Sequence, residues 1–455
     1  MATISPNPTL QDLKITFQES TLVFPSQQTP DQKKSIFLSN IDQILNYNVP
    51  TVYFFPANKD FPPEIVSKRL KMALEKVLVT YDFMAGRLQL NQESGRLEID
   101  SCNAAGTGFV VASSEFSLDE IGDLVCPNLG FRQLAVQSLD NLSSVNGNQP
   151  LCIIQVTSFK CGGFAIGMSV NHILLDGMSA KTFNENLASQ AFDDKPLSLI
   201  PFHDRRLLAA RSPPLVSFPH PEFFKPDAPA ISGPPVFDCK KEELDFKIFK
   251  LTPKEINSLK DKAKPSSETI STTAKIPSSL SVVAALMWRC KALSCGVDEH
   301  INKERVSTLL NVVDLRSRLN PPLPPSYCGN AVLVAYASEE CGNIEKGPFS
   351  KLVEMVSEGP KRITDEYAKS VIDWLEINKG LPNGEYMVSS WLRLGFDQVV
   401  YPWGKPVHSG PVVNHRKDIC WIFPTVDGMI NALVSLPPEE MKRFDSHFHK
   451  FFNYV

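Results

Sequence analysis

His172 and Asp176 stand four residues apart in the run Ser169-Val170-Asn171-His172-Ile173-Leu174-Leu175-Asp176-Gly177. An imidazole is the side chain best suited to take and return a proton near neutral pH. Of the eight histidines, only this one is followed at the fourth position by a carboxylate with glycine next. The lone-histidine alternative is a core imidazole bonded to a carbonyl. The setting at the end of a strand favours a catalytic base. Asp176 has two possible roles. It could orient the imidazole, as the carboxylate of a triad does. It could instead turn away and anchor the loop through an arginine. If residues 172 to 176 were helical, the two side chains would share a face. Gly177 and the strand before it point to a turn, so the anchoring role is expected, with Arg316 in Asp314-Leu315-Arg316-Ser317-Arg318 as partner.

A second group is Phe396-Asp397-Gln398-Val399-Val400-Tyr401-Pro402-Trp403-Gly404-Lys405-Pro406. By residue chemistry alone it is a rigid packing loop around a buried tryptophan. Lys260, Lys262 and Lys264 read as a solvated helix face. The chain has no G-x-S-x-G elbow, no Walker lysine motif and no complete dinucleotide fingerprint, since Gly106-Thr107-Gly108 lacks the third glycine. A covalent serine mechanism is therefore disfavoured. No cysteine spacing suits zinc, and no metal is expected.

These residues need elements to hold them. A strand over Phe164 to Val170 and a helix over Met178 to Ala191 flank His172. Before them come a strand at Leu151 to Ser158 and the apolar run Val52-Tyr53-Phe54-Phe55. An amphipathic helix carries Ile65, Leu70, Met72, Ala73, Leu74 and Val77. The turn Ala85-Gly86-Arg87-Leu88 leads into a hairpin. Prolines crowd the stretch from 196 to 235, which excludes a helix or central strand there. That stretch reads as an ordered crossover anchored by Phe202, Leu207, Leu208, Phe218, Phe223 and Phe224. Beyond it come a strand at Leu244 to Leu251, a helix capped by Thr252 with Pro253 and Glu255, and a polar loop from Ser266 to Thr273. A long helix follows Ser278-Ser279. Late strands are expected at Ile419 to Thr425 and Gly428 to Ser435.

A chain of 455 residues is too long for one ordinary core, so two domains are expected. We place them at 1–195 and 241–455, joined by the crossover at 196–240. The WG loop then falls in the second. A net charge of -4 excludes the concentrated basic face that a nucleic-acid partner needs. There is no signal-peptide pattern and no run of about 18 apolar residues, so neither secretion nor a membrane span is expected. Ten cysteines without a C-x-x-C pair read as reduced thiols, which makes the cytoplasm the expected location.

Taken together, the motifs resemble the plant BAHD acyl-CoA-dependent acyltransferases almost end to end. His172 to Gly177 matches the family's HxxxDG, and Ala85 to Leu88 its AGRL turn. Asn311 to Arg318, Pro321-Pro322-Leu323-Pro324 and Tyr327-Cys328-Gly329-Asn330-Ala331 resemble further family motifs in the family's order. Val400-Tyr401-Pro402-Trp403-Gly404 stands where the family has DFGWG, so only the last two residues remain. The resemblance implies an α/β fold of two chloramphenicol-acetyltransferase-like domains with a channel between them. It implies no bound cofactor, with a coenzyme A thioester as co-substrate and a small alcohol or amine as acceptor. The chain is expected to act as a monomer. His172 would be the general base, and Asp176, Arg316, Gly177 and Gly404 would shape its surroundings. The Trp403 indole N–H, or more weakly the Ser39 hydroxyl, would meet the oxyanion. Ser278, Ser279, Lys260, Lys262, Lys264 and Tyr401 would lie against the coenzyme. The run Phe37 to Gln43 looks like that of members that move hydroxycinnamoyl groups. The altered WG loop leaves an alternative, a catalytically idle relative acting as a protein partner in lipid elongation. A hydrolase using water as acceptor is a third reading.

Overall fold

The computed structural model describes residues 12–27, 35–101, 105–125, 128–140, 149–226, 243–264, 276–295, 303–412, 416–425 and 428–453. The chain forms two compact α/β units. One holds Met1–Ala209, Leu323–Ala331 and Leu394–Val413. The other holds Ala210–Pro322, Val332–Arg393 and Asn414–Val455. The units are thus not contiguous in sequence. The segments around Asn330 and Trp403 belong with the first, so the WG loop is not part of the C-terminal unit where the sequence put it.

The first unit is built on a six-stranded sheet. Its lateral order is Ile15–Val23, Thr107–Ser114, Cys152–Ser158, Phe164–Asn171, Asn48–Phe55 and His408–Pro411. Only the Thr107–Ser114 and Cys152–Ser158 strands run parallel. The Phe164–Asn171 strand is paired on both sides, so its apolar residues from Phe164 to Met168 are all buried. Gly167 is required at its middle, because a Cβ there would lie 1.8 Å from the Leu134 carbonyl oxygen. Helix Pro63–Val77 starts at a proline and buries Val66, Leu70, Ala73, Leu74 and Val77. Ile65 and Met72, expected on that face, are exposed instead. In the Ala85-Gly86-Arg87-Leu88 turn the buried Arg87 guanidinium donates to the carbonyls of Ala85, Gly86, Ala105 and Gly106.

The second unit has its own six-stranded sheet, in the order Asp245–Leu251, Ile430–Leu436, Ile419–Pro424, Tyr386–Ser390, Val306–Asp314 and Val332–Glu340. Helix Ser279–Ser294 is apolar nearly all round and sits at the centre of this core, against residues of the helices Phe349–Arg362 and Pro438–Asn453.

The proline-rich stretch is held differently from expectation. Leu208 and Phe223 are buried, but Phe202, Leu207, Phe218 and Phe224 are exposed. Polar side chains do the fastening in the second unit. The Arg211 Nε donates to Asp373 at 2.6 Å, and His220 and Glu222 are buried against helix Asp365–Asn378. Residues 227–242 lie outside the described part.

Candidate active site

His172 follows the last residue of the Phe164–Asn171 strand. Its backbone N–H donates to the Tyr47 carbonyl at 2.8 Å, and the Tyr47 ring lies 5.4 Å from the imidazole. Leu174 N–H closes a turn on the Asn171 carbonyl. Ile173, Leu174 and Leu175 are buried, while His172 is half-buried. The turn ends on Asp176, the N-cap of helix Gly177–Gln190, whose Oδ1 accepts from Ser179 N–H at 2.9 Å. Gly177 passes close to Leu394, where a Cβ would meet the leucine Cδ1 at 2.8 Å.

Asp176 also reaches the segment Leu323–Ala331. Its Oδ2 accepts from Ala331 N–H at 3.0 Å. The Ser179 hydroxyl donates to the Gly329 carbonyl at 2.9 Å and lies 3.1 Å from Gly329 N–H. The start of the helix therefore clamps residues 329–331 on either side of Asn330. Arg316, the expected partner of Asp176, belongs to the second unit, where its Nη1 lies 3.0 Å from Asp314 Oδ1.

Asn330 fixes the state of the imidazole. Its Nδ2 faces three acceptors: Asp42 Oδ1 at 2.8 Å, the His172 carbonyl at 2.8 Å and the Ile173 carbonyl at 3.2 Å. Only an N–H group can satisfy them, so the other end of the amide must be the oxygen. That Oδ1 lies 3.0 Å from His172 Nδ1. The imidazole must therefore donate from Nδ1, and the neutral ring carries its lone pair on Nε2. Asn330 occurs in the motif Tyr327 to Ala331, but nothing in the sequence pairs it with a histidine 158 positions away.

Behind Asn330 stands Asp42, fully buried in the short helix Asn40–Gln43. Its Oδ2 accepts from Ser39 N–H at 2.8 Å and from the Ser39 hydroxyl at 2.7 Å. The same oxygen lies 3.5 Å from Nε of Arg205, whose side chain is fully buried and which donates to the Leu174 carbonyl at 2.7 Å. Ser39 is therefore corrected as an oxyanion donor. Its proton is committed to Asp42, it caps the helix, and it is wholly buried.

Trp403 is corrected on distance. Its ring packs on Phe55 and Phe164, at 6.3 and 6.2 Å between centroids, and stacks on Tyr401 at 5.0 Å. Phe164 opens the strand that His172 follows, eight residues later. At ~3.3 Å per residue the two ends are about 26 Å apart, beyond the combined reach of both side chains. The buried Trp403 Nε1–H has no hydrogen-bond partner among the described residues. Tyr401 is 2% exposed in the same cluster, where burial pushes its phenol well up. Its ring packs edge-on against Phe55 at 5.7 Å and stacks on Trp403. Tyr401 and Gly404 exchange both backbone hydrogen bonds, and Gly404 has a φ of 112°, which explains why glycine follows the tryptophan.

Apart from Tyr401, the residues expected against coenzyme A lie in the second unit. Ser278 caps helix Ser279–Ser294 by accepting from Ser281 N–H. Lys264 pairs with Asp261 at 2.7 Å. Lys262 is spent within the fold, donating to the Phe451 carbonyl at 2.8 Å with its ammonium over that ring. The polar loop Ser266 to Thr273 falls outside the described residues. Among the described residues no group of three or more His, Cys, Asp and Glu could hold a metal ion, and no helix is long and apolar enough to cross a membrane.

Acyltransferase GLAUCE of Arabidopsis thaliana is 54% identical over 450 residues, covering 98% of this chain and 97% of its own. Shikimate O-hydroxycinnamoyltransferase of Nicotiana tabacum is 33% identical over 454 residues, covering 96% of this chain and 100% of its own. The crystal structure of vinorine synthase superposes with a TM-score of 0.72 at 22% identity, covering 94% of this chain and 96% of that one. The family model described as "Transferase family" matches residues 13–451, and the chain belongs to that family, the BAHD acyltransferases.

Proposed function

We propose that this protein moves an acyl group from a coenzyme A thioester to a hydroxyl or amine acceptor, with His172 Nε2 as the general base. The observation that carries this reading is the Asn330 amide, which places the imidazole lone pair on Nε2. Nε2 takes the proton from the acceptor O–H or N–H as that atom attacks the thioester carbonyl. The carbonyl becomes a tetrahedral oxyanion, and His172 becomes an imidazolium whose Nδ1–H still donates to Asn330. Collapse of the oxyanion breaks the C–S bond. The thiolate leaves with the proton from Nε2–H, and the neutral ring is restored. No acyl-enzyme forms. The oxyanion donor is neither Trp403 nor Ser39.

The donor and acceptor classes rest on similarity. The tobacco relative is by name an O-hydroxycinnamoyltransferase, which supports a hydroxycinnamoyl donor and an oxygen acceptor. Ser278, Ser279, Lys260 and Lys264 are proposed for the pantetheine arm and phosphates, supported by their place in the family pattern. The altered loop at Val400 to Pro402 does not favour an idle partner role, because that loop sits far along the strand from His172.

The test is to incubate the full chain with a panel of acyl-CoA donors and of hydroxyl and amine acceptors. Coenzyme A release that requires an acceptor, with a matching ester or amide, is the expected result. His172→Ala should lower it about 10³-fold. Equal release without acceptor would make the protein a hydrolase, and an unaffected His172→Ala variant would remove the base from the mechanism.

A further inference from the structure

We infer that Asp42 is a positioning residue for this reaction, acting on His172 through Asn330 over two hydrogen bonds. The inference rests on the assignment of His172 as base and goes beyond it by naming what sets the base's tautomer. The chain of contacts is short and buried. Asp42 Oδ1 accepts from Asn330 Nδ2 at 2.8 Å and from Asn330 N–H at 3.3 Å, and Asn330 Oδ1 accepts from His172 Nδ1 at 3.0 Å. Arg205 and Ser39 hold the other carboxylate oxygen, so the carboxylate cannot rotate away.

An ionised carboxylate is an acceptor only. It forces the amide nitrogen of Asn330 toward itself, and therefore the amide oxygen toward the imidazole. The consequence shows in Asp42→Asn. Ser39 still requires an acceptor, so the new amide keeps its oxygen on Ser39 and turns its NH2 to Asn330. Two NH2 groups then face each other. The Asn330 amide relieves this by reversing, which presents its own NH2 to His172 Nδ1. The imidazole must now accept at Nδ1 and carry its proton on Nε2, where it cannot take another from the acceptor. A wrong tautomer with the geometry kept lowers kcat by ~10⁴ in a serine protease triad. The effect here is smaller, about 10²-fold, because the reversed Asn330 amide gives up its bonds to the His172 and Ile173 carbonyls.

The double variant Asp42→Asn with Asn330→Asp restores the order of donors and acceptors between positions 42, 330 and 172, but it turns a carboxylate oxygen toward the His172 and Ile173 carbonyls, so rescue is partial. The carboxylate now at 330 accepts from the amide at 42 and from His172 Nδ1–H. It should recover at least tenfold of the activity lost by Asp42→Asn alone, which a merely structural role for Asp42 would not produce.

The experiment compares acyl transfer by wild type, Asp42→Asn, the double variant and His172→Ala, alongside imidazole ¹⁵N shifts of histidine-labelled full-length protein. Expected are an Nδ1–H signature for His172 in the wild type, an Nε2–H signature in Asp42→Asn, and partial rescue in the double variant. Wild-type His172 protonated on Nε2 would overturn the inference without any variant having to fold. So would Asp42→Asn with wild-type transfer while His172→Ala is inactive. Transfer surviving in His172→Ala would instead overturn the base assignment itself.

Discussion

His172 and His220 each sit in a row of three polar side chains, and they are put to opposite uses. By residue type His220 has the more familiar company. Its Nε2 lies 2.9 Å from the Ser370 hydroxyl and its Nδ1 3.2 Å from Glu222 Oε1, the composition of a hydrolytic triad. Ser370, however, is wholly buried and accepts from Ser217 N–H at 2.9 Å and Phe218 N–H at 3.3 Å. With both lone pairs engaged, its proton goes to His220 Nε2, and His220 Nδ1–H goes to Glu222. Tyr367 donates to the same Glu222 oxygen at 2.7 Å, and its ring stands 4.9 Å from the imidazole. Both nitrogens are committed inside the fold. His220 fastens residues 217–222 to helix Asp365–Asn378. His172 is half-buried and has Nδ1 committed as a donor, so its lone pair lies on Nε2. Residue types do not separate the two. Burial and the direction of each hydrogen bond do.

The contrast breaks most directly by making the same change at both sites. His172→Gln should lower transfer about 10³-fold while the urea midpoint barely moves. His220→Gln should do the reverse. It removes the Nδ1–H bond to the buried Glu222 carboxylate, which keeps only the Tyr367 hydroxyl, and the acceptor of the Ser370 proton, at a cost of about 2 kcal/mol of unfolding free energy, with activity per folded molecule within about twofold of wild type. Initial rates and denaturant titrations on both variants decide it. If His220→Gln proved inactive yet fully stable, the fastening role would be wrong.

A third histidine sharpens the point about burial. Burial pushes His408 down to about 4, against the opposing pull of Asp123 and Asp397. An unfolded histidine titrates near 6.5, so between those two values the unfolded chain holds a proton that the folded chain refuses. Stability from this group is complete above about pH 6.5 and falls by about 3 kcal/mol as the pH drops to about 4. His408→Gln should flatten that part of the stability curve relative to wild type. Identical curves would show that His408 takes up its proton at the same pH in the fold as in the unfolded chain.

The His220 network can also be opened from its other end. Ser370→Ala leaves two backbone donors, Ser217 and Phe218, without their acceptor, which should cost about 2 kcal/mol. Transfer by the folded fraction should be unchanged. A parallel loss of activity would mean that helix Asp365–Asn378 serves the reaction.

What was legible in the sequence follows the reach of its signals. The strand into His172 and the helix after it were readable within a residue or two, because period and turn chemistry are local. The Thr252 capping box appears as expected, with Glu255 donating no proton but accepting from Thr252 N–H at 2.8 Å. Asp176 as an anchor was readable from Gly177, though not the backbone N–H groups it takes. The discontinuous units were hidden, since no local pattern tells Leu323–Ala331 or Leu394–Val413 to leave the second unit. Asn330 and Asp42 were hidden for the same reason, being 158 and 130 positions from His172 along the chain but joined to it in space. In the proline-rich stretch, apolar residues were expected to anchor a segment that polar groups hold. Hydrophobicity was the wrong guide there because the bonds of Arg211 and His220 cannot be seen without their partners.

The smallest expected effect is at Trp403, where the family resemblance suggested an oxyanion donor and the distance argues for the packing role that residue chemistry alone gave. Its indole N–H is buried among Phe55, Phe61, Phe164 and Tyr401 with no acceptor among the described residues, a cost that ring packing offsets. Trp403→Phe removes that donor and keeps most of the aromatic contact. The lost ring area and the relieved desolvation oppose each other, so the net change in stability should stay within about 1 kcal/mol. An oxyanion donor would behave otherwise, since deleting one lowers kcat by about 10² to 10³. Because roughly 26 Å of strand separates this cluster from His172, kcat in Trp403→Phe should remain within about twofold of wild type. A hundredfold fall in kcat with unchanged stability would return Trp403 to the reaction and show that the strand does not keep the two apart.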